Sequence, residues 1–190
     1  MIDEYSRDGI GWARFSDDRK RRYRLGRILH APLVAYGWKD LPLTAKRVVF
    51  LMINPSTADA FKPDPTISKC CKFALRWGAE ILDVVNLFAF RTPYPTDLFK
   101  QDIGADGADE WNDAQIVEAC TQPGVIKVVA AWGNHGAWRE RDVAVCAMLK
   151  EQCVNLWCLG TTSSVSAAPK HPMARGHHFI PLDFELEAFP

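Results

Sequence analysis

Polar side chains that could do chemistry stand where four apolar runs of this chain end. Asn54 closes Val48-Val49-Phe50-Leu51-Met52-Ile53, and Asn86 closes Ile81-Leu82-Asp83-Val84-Val85. Asn134 and His135 follow Ile126–Trp132, and His171 ends the polar segment after Asn155–Leu159. A carboxamide carries both a donor and an acceptor, so a buried one such as Asn86 serves either a polar network or a substrate edge. A histidine in such a loop can donate to a developing anion, the role open to His171. Asp59 and Asp64 share the first loop, and either can orient a water for hydrolysis. Each residue also has a local reading. Asn54 before Pro55 suits a turn, Asp64 suits a helix N-cap, and His135 between glycines suits a loop bonded to backbone.

The elements that must position these groups alternate. Val48–Ile53 is a β-prone run apolar on both faces, as a buried parallel strand requires. After the loop 54–65, Ile67, Cys70, Cys71, Ala74 and Leu75 recur at helical spacing, and Gly78 marks the stop. The cycle repeats with a strand over Ile81–Asn86 and a helix over Asp109–Cys120. A strand over Ile126–Trp132 and a helix over Trp138–Lys150 follow, then a strand over Asn155–Leu159. Such alternation predicts an α/β fold, a three-layer α-β-α sandwich on a central parallel four-stranded sheet. Loops that follow parallel strands share one edge of the sheet, so the polar residues are expected to converge there. One domain spans 1–190: residues 1–40 form an N-terminal hairpin or extension, and 45–182 form the core.

Arg19, Lys20, Arg21, Arg22, Arg24 and Arg27 make the strongest basic cluster. It reads either as the solvated face of a hairpin or as a clamp for phosphates. Over the whole chain the formal net charge is +0, which argues against a non-specific DNA coat but not against a local grip on phosphate. The six cysteines form no Cys-x-x-Cys pair, so neither zinc nor an iron–sulfur cluster is expected. No third ligand stands at metal-binding spacing beside Asp59 and Asp64, so no metal and no cofactor are expected. Phosphate-loop, dinucleotide-turn and serine-elbow patterns are missing. Neither a signal-peptide pattern nor an apolar run long enough for a membrane span is found, so no membrane partner and a cytoplasmic location are expected. Oligomeric state is left open.

Two resemblances are carried by these residues. Arg47–Pro55 resembles the first motif of the uracil-DNA glycosylase superfamily, a strand ending in Gly-Ile-Asn-Pro-Gly, with Met52 and Ser56 here in place of the two glycines. Val84-Val85-Asn86-Leu87 is similar to the strand whose asparagine reads the base, and Ala131-Trp132-Gly133 to the strand ending in Trp-Gly. Lys170-His171-Pro172-Met173 resembles the closing His-Pro-Ser motif, with Met173 in place of the serine. Asn54-Pro55-Ser56-Thr57-Ala58-Asp59, Asn86–Arg91 and Trp132-Gly133 further resemble a bacterial family of unknown function, family 1643.

The first resemblance implies a DNA glycosylase-like hydrolase that cleaves the N-glycosidic bond of a damaged, mismatched or modified base flipped into the pocket. Asn86 would read the base edge, with Phe73, Phe88 or Trp132 stacking on it. His171 would stabilise the departing base. Asn54, with Asp59 or Asp64, would position water. Ser56, Thr57, Asn134 and His135 would line the substrate, and Met173 and Arg175 would hold a duplex open. DNA or a nucleoside or nucleotide is thus the expected partner. The alternatives are a module that binds a modified base or nucleotide without cleaving it, and a hydrolase of small nucleotides using Asp59 and Asp64 with a divalent ion.

Overall fold

A computed structural model describes residues 1–101, 109–163 and 167–190. The strands are β1 (Ile2–Tyr5), β2 (Gly11–Phe15), β3 (Arg22–Ile28), β4 (Arg47–Met52), β5 (Ile81–Asn86), β6 (Val125–Ala130), β7 (Leu156–Cys158) and β8 (Glu187–Phe189). The helices are α1 (Pro65–Arg76), α2 (Pro95–Leu98), α3 (Glu110–Thr121) and α4 (Arg141–Glu151), joined by shorter 3-10 turns. None is long and apolar enough to cross a membrane among the described residues.

The expected four-stranded parallel sheet is replaced by a mixed sheet of eight strands, in the order β1-β2-β3-β5-β4-β6-β7-β8. Strands β5, β4, β6 and β7 run parallel to one another. The pairings β1–β2, β2–β3, β3–β5 and β7–β8 are antiparallel and outnumber the parallel ones. The N-terminal segment is no appendage, because Leu25 of β3 pairs with Val84 of β5 and is fully buried. The antiparallel strands extend the parallel centre on both sides and cover edges that would otherwise show unpaired N–H and C=O groups.

Period-two alternation of β4 feeds two cores. Val48, Phe50 and Met52 face α1 through Ile67, Cys70 and Phe73. Val49, Leu51 and Ile53 face α3 and α4 through Ile116, Ala119, Val145 and Leu149. Helix α1 starts where Asp64 caps it, its Oδ1 accepting from Ile67 N at 2.8 Å with Pro65 at the first position, and it stops before Gly78, whose φ is +74°. Asp109 caps α3 in the same way, accepting from Asn112 N. The helix expected from Trp138 begins later, at Arg141. Asn134–Glu140 forms 3-10 turns instead, broken where Arg139 and Glu140 adopt positive φ.

This topology makes a crevice. After β4 the chain turns onto the α1 face, whereas after β5 and β6 it turns onto the α3 and α4 face. The loops therefore diverge above β4, the place where open α/β sheets accept ligands.

Candidate active site at the strand ends

Asn86 is the last residue of β5 and the register partner of Met52 in β4. Alternation with Leu82 and Val84 puts it on the α1 face. It has no solvent exposure, yet among the described residues neither its amide nitrogen nor its amide oxygen has a hydrogen-bond partner. Leaving a buried polar group unsatisfied costs about 1–3 kcal/mol. The main chain at the same place is, by contrast, tightly held. Asn112 of α3 donates through Nδ2 to the carbonyls of Asn86 (2.9 Å) and Leu87 (3.1 Å), and Arg141 of α4 donates through Nε to Leu87 O (3.0 Å). Arg141 is itself held by Asp113. The strand end is anchored from below while its side chain is left bare.

His171 reaches the crevice by a return of the chain. Beyond β7, Lys170 N donates to Gly160 O and Gly133 N donates to Pro169 O, both at 2.9 Å. A Cβ on Gly133, which has φ +69°, would lie 4.0 Å from the His171 Cβ, so the loop after β6 and the histidine are neighbours. Met173 N donates to His171 Nδ1 at 3.1 Å. Because Nδ1 accepts, the proton of the neutral ring sits on Nε2, leaving a donor for a ligand. Burial pulls the pKa down to about 4, opposed by the Asp64 charge and helped by Lys69, so the ring is neutral at physiological pH.

The first loop is stapled by its own polar groups. Asn54 donates through Nδ2 to Thr92 O (2.8 Å) and Pro55 O (3.1 Å), tying the loop after β4 to the loop after β5. Its oxygen accepts no hydrogen bond from the described residues. Asp59 accepts at Oδ1 from Phe61 N (2.9 Å) and Lys62 N (2.8 Å), an Asx turn. Asp64, besides capping α1, is close enough to the Arg22 and His171 side chains to act on their charges.

The other expected residues distribute unevenly. Phe73 is fully buried under α1, stacked on Trp77 at 5.4 Å, and belongs to the core rather than to the crevice. Phe88 and Trp132 pack on the α3 and α4 side of the sheet, the face opposite Asn86. Phe88 lies against Trp138, and Trp132 meets Phe189 edge-on and leaves no space for a Cβ at Gly136, where one would lie 2.0 Å from its ring. His135 contacts Phe99 edge-on in that same aromatic cluster. Asn134 accepts from Thr162 Oγ1 at 2.6 Å, joining the loops after β6 and β7. Part of the Ser/Thr-rich loop, residues 164–166, lies outside the described residues. Met173 is half-buried behind His171, and Arg175 is exposed. Ser56 and Thr57 line an open groove with Arg19, Lys20 and Arg91.

Sequence reasoning missed what the basic cluster does. Arg22, Arg24 and Arg27 are buried in β3 rather than spread on a solvated face. Arg24 pairs with Asp83, and Arg21 with Asp109. Arg22 instead donates to Ala58 O (2.8 Å) and Arg27 to Asp59 O, so two cations hold the first loop through its carbonyls. Burial, then repulsion from Arg91, brings the Arg22 guanidinium down to about 9, which leaves it cationic at neutral pH. The one available signal was arginine at alternate positions of a β-prone run, a pattern that solvated hairpins share. Asn112 and Arg141 were also missed, since a polar residue inside a helix looks like surface until the strand end beneath it is known.

Among the described residues no group of three or more His, Cys, Asp or Glu is placed to hold a metal ion. The six cysteines are free thiols. Burial raises Cys71 and Cys146 to about 11 and Cys120 to about 12, so these three stay protonated and are poor nucleophiles.

A family model described as "Protein of unknown function (DUF1643)" matches residues 22–173. No curated protein and no solved structure matches the chain.

Proposed function

The chain belongs to the DUF1643 family of proteins of unknown function, and from its own site we propose that it binds a nucleobase at the crevice above β4 and β5 and hydrolyses the N-glycosidic bond that carries it. One observation carries this reading: the fully buried Asn86 carboxamide, whose donor and acceptor are both unpaired among the described residues. A heterocyclic base edge offers the complementary donor–acceptor pair, and pairing with it offsets the cost of burying the amide. His171 approaches from the loop side with a neutral ring and an Nε2–H donor, suited to a base leaving as an anion. Asn54 has its nitrogen committed and its oxygen free, which suits it to hold the attacking water. The resemblance of these segments to the motifs of the uracil-DNA glycosylase superfamily supports the same assignment. In the substrate, water adds at the anomeric carbon, the C–N bond breaks, and the electron pair leaves on the base, which takes up a proton.

A second reading is favoured by the carboxylates. Asp59 spends one oxygen on two main-chain N–H groups and Asp64 spends one on the helix cap, so neither is a dedicated base. A module that binds a base or nucleotide without cleaving it would look the same.

Mass spectrometry of free base after incubation with uracil-, mismatch- and modified-base DNA, single- and double-stranded, and with the matching nucleosides separates the two. The expected result is base release by the wild type that falls by about 10²–10³ in His171→Ala. Saturable binding with no base formed supports the binding module. Neither release nor binding from any substrate overturns the nucleobase assignment.

A further inference from the structure

The groove beside the crevice is built differently from the crevice itself. It has a volume of about 590 Å³ and is lined by Arg19, Lys20 and Arg91, with the hydroxyls of Ser56 and Thr57 and the ring of Phe90. Gln101 completes the lining, and no carboxylate lines it among the described residues. Three loops meet there: the β2–β3 turn, the loop after β4 and the loop after β5. They are bonded together by main-chain contacts, Arg91 N to Lys20 O and Thr92 N to Pro55 O, each 2.9 Å, and by Asn54 across the last two. A groove stapled along its walls is preformed, which lowers the ordering cost of a ligand.

Its cations are neutralised only in part. Arg91 forms no ion pair among the described residues, and its buried Nε has no hydrogen-bond partner. Its guanidinium lies 4.8 Å from the Phe15 ring, as does that of Arg19, so one aromatic side chain supports both. Arg19 shares its charge with Glu4. Behind them stands Arg22, 2% exposed, bonded to a carbonyl rather than a carboxylate and with its own Nε unpartnered. Asp59 and Asp64 are the acidic groups that act on Arg22, and both are turned to main-chain N–H donors. Guanidinium groups brought together with more positive than negative charge, Glu4 being paired to Arg19 alone, suit tetrahedral oxyanions, to which arginine binds in a bidentate fork.

We propose that this groove is a phosphate subsite, with Arg91 as its principal ligand, Arg19 and Lys20 beside it, and Ser56 and Thr57 donating hydroxyls. Phosphate is the shared chemistry of two sources, a nucleoside polyphosphate and a nucleic-acid strand. The proposal rests on the nucleobase reading only for what is attached to the phosphate, since Asn54 links the groove to the strand ends that carry Asn86.

Calorimetric titration with tripolyphosphate tests it on the intact chain. The wild type is expected to bind, and Arg91→Gln to weaken binding about tenfold or more. Because Arg91 also supports Phe15, a second variant, Thr57→Glu, places a carboxylate at an exposed position of the groove and is expected to abolish binding while thermal unfolding stays unchanged. Arg76→Gln, an exposed residue at the far end of α1, controls for the loss of one charge and should bind as the wild type does. Asn86→Ala should also retain tripolyphosphate, so failure of the base reading leaves this result standing. Competition by a nucleoside triphosphate or by an unmodified single-stranded oligonucleotide identifies the source. Absence of tripolyphosphate binding, binding unchanged by Arg91→Gln and Thr57→Glu, or competition by neither ligand overturns the subsite.

Discussion

Asp83 and Asn86 lie on the same strand, both without solvent exposure, and their surroundings are opposite. Asp83 accepts from Arg24 Nε (3.0 Å), Arg47 NH1 (3.1 Å) and Gln122 Nε2 (3.1 Å), donors drawn from β3, β4 and the end of α3. Among the described residues Asn86 accepts nothing and donates nothing through its side chain. A charge that cannot leave the interior is thus surrounded by donors, whereas a neutral amide at the strand end has no partner among the described residues. Burial alone therefore does not distinguish a structural polar group from a functional one; satisfaction of its hydrogen bonds does. The arginines repeat the contrast: those beside Asp83 are paired, and among the described residues Arg22 and Arg91 form no ion pair.

The comparison breaks most visibly at Asp83. Asp83→Ala leaves Arg24 and Arg47 buried without their shared counter-charge and is expected to lower stability by about 3–5 kcal/mol, read from the urea midpoint. A loss below about 1 kcal/mol would show that the network does not anchor β3, β4 and α3.

Asn86→Leu should act in the other direction on stability. Removing an unsatisfied amide for an apolar side chain of similar size is expected to leave the protein as stable or about 1 kcal/mol more stable, while base release or base binding is lost. Destabilisation by more than about 2 kcal/mol would mark Asn86 as structural after all.

His171 sharpens the comparison through pH. Its folded pKa of about 4 lies below the ordinary 6.5, so the unfolded chain binds the extra proton between those values. The stability it contributes is present above about pH 6.5 and is lost as pH falls toward about 4. Acid titration followed by circular dichroism should show a shallower loss in that window for His171→Gln than for the wild type. Ligand binding through Nε2–H should stay level from pH 8 to about 5, because the ring is already neutral there.

The smallest effect is expected at Asp59. Asp59→Asn keeps an oxygen that accepts from Phe61 N and Lys62 N, so stability should change by less than about 0.5 kcal/mol and base release by less than about twofold. A large fall in rate would reassign Asp59 from turn former to water-positioning base.

Much of the centre was legible in the chain. The runs at β4, β5 and the second half of β6 are mostly apolar and buried on both faces, and α1 and α3 carry caps at Asp64 and Asp109 whose chemistry is local. The flanks were not. Strands β1 and β8 are short and carry exposed residues, β2 is short, and β3 bears three arginines, so only their partners make them strands. Of the site, the strand-end asparagines were legible because a carboxamide amid apolar neighbours has few structural uses. The assignment of aromatics was not, since Phe73, Phe88 and Trp132 are equally apolar whichever core receives them.

By itself, the amino-acid sequence determined the local elements and the fact that polar groups follow the central strands. Period-two and helical spacing, caps and turns all act within a few residues. Tertiary structure alone decided strand order, the antiparallel flanks, and which polar groups are satisfied. Those depend on contacts such as Arg24 with Asp83, Asn112 with Asn86 and Arg22 with Ala58, between residues far apart along the chain. A buried group's hydrogen bonds are set by what the fold brings to it, and no spacing along the chain records that.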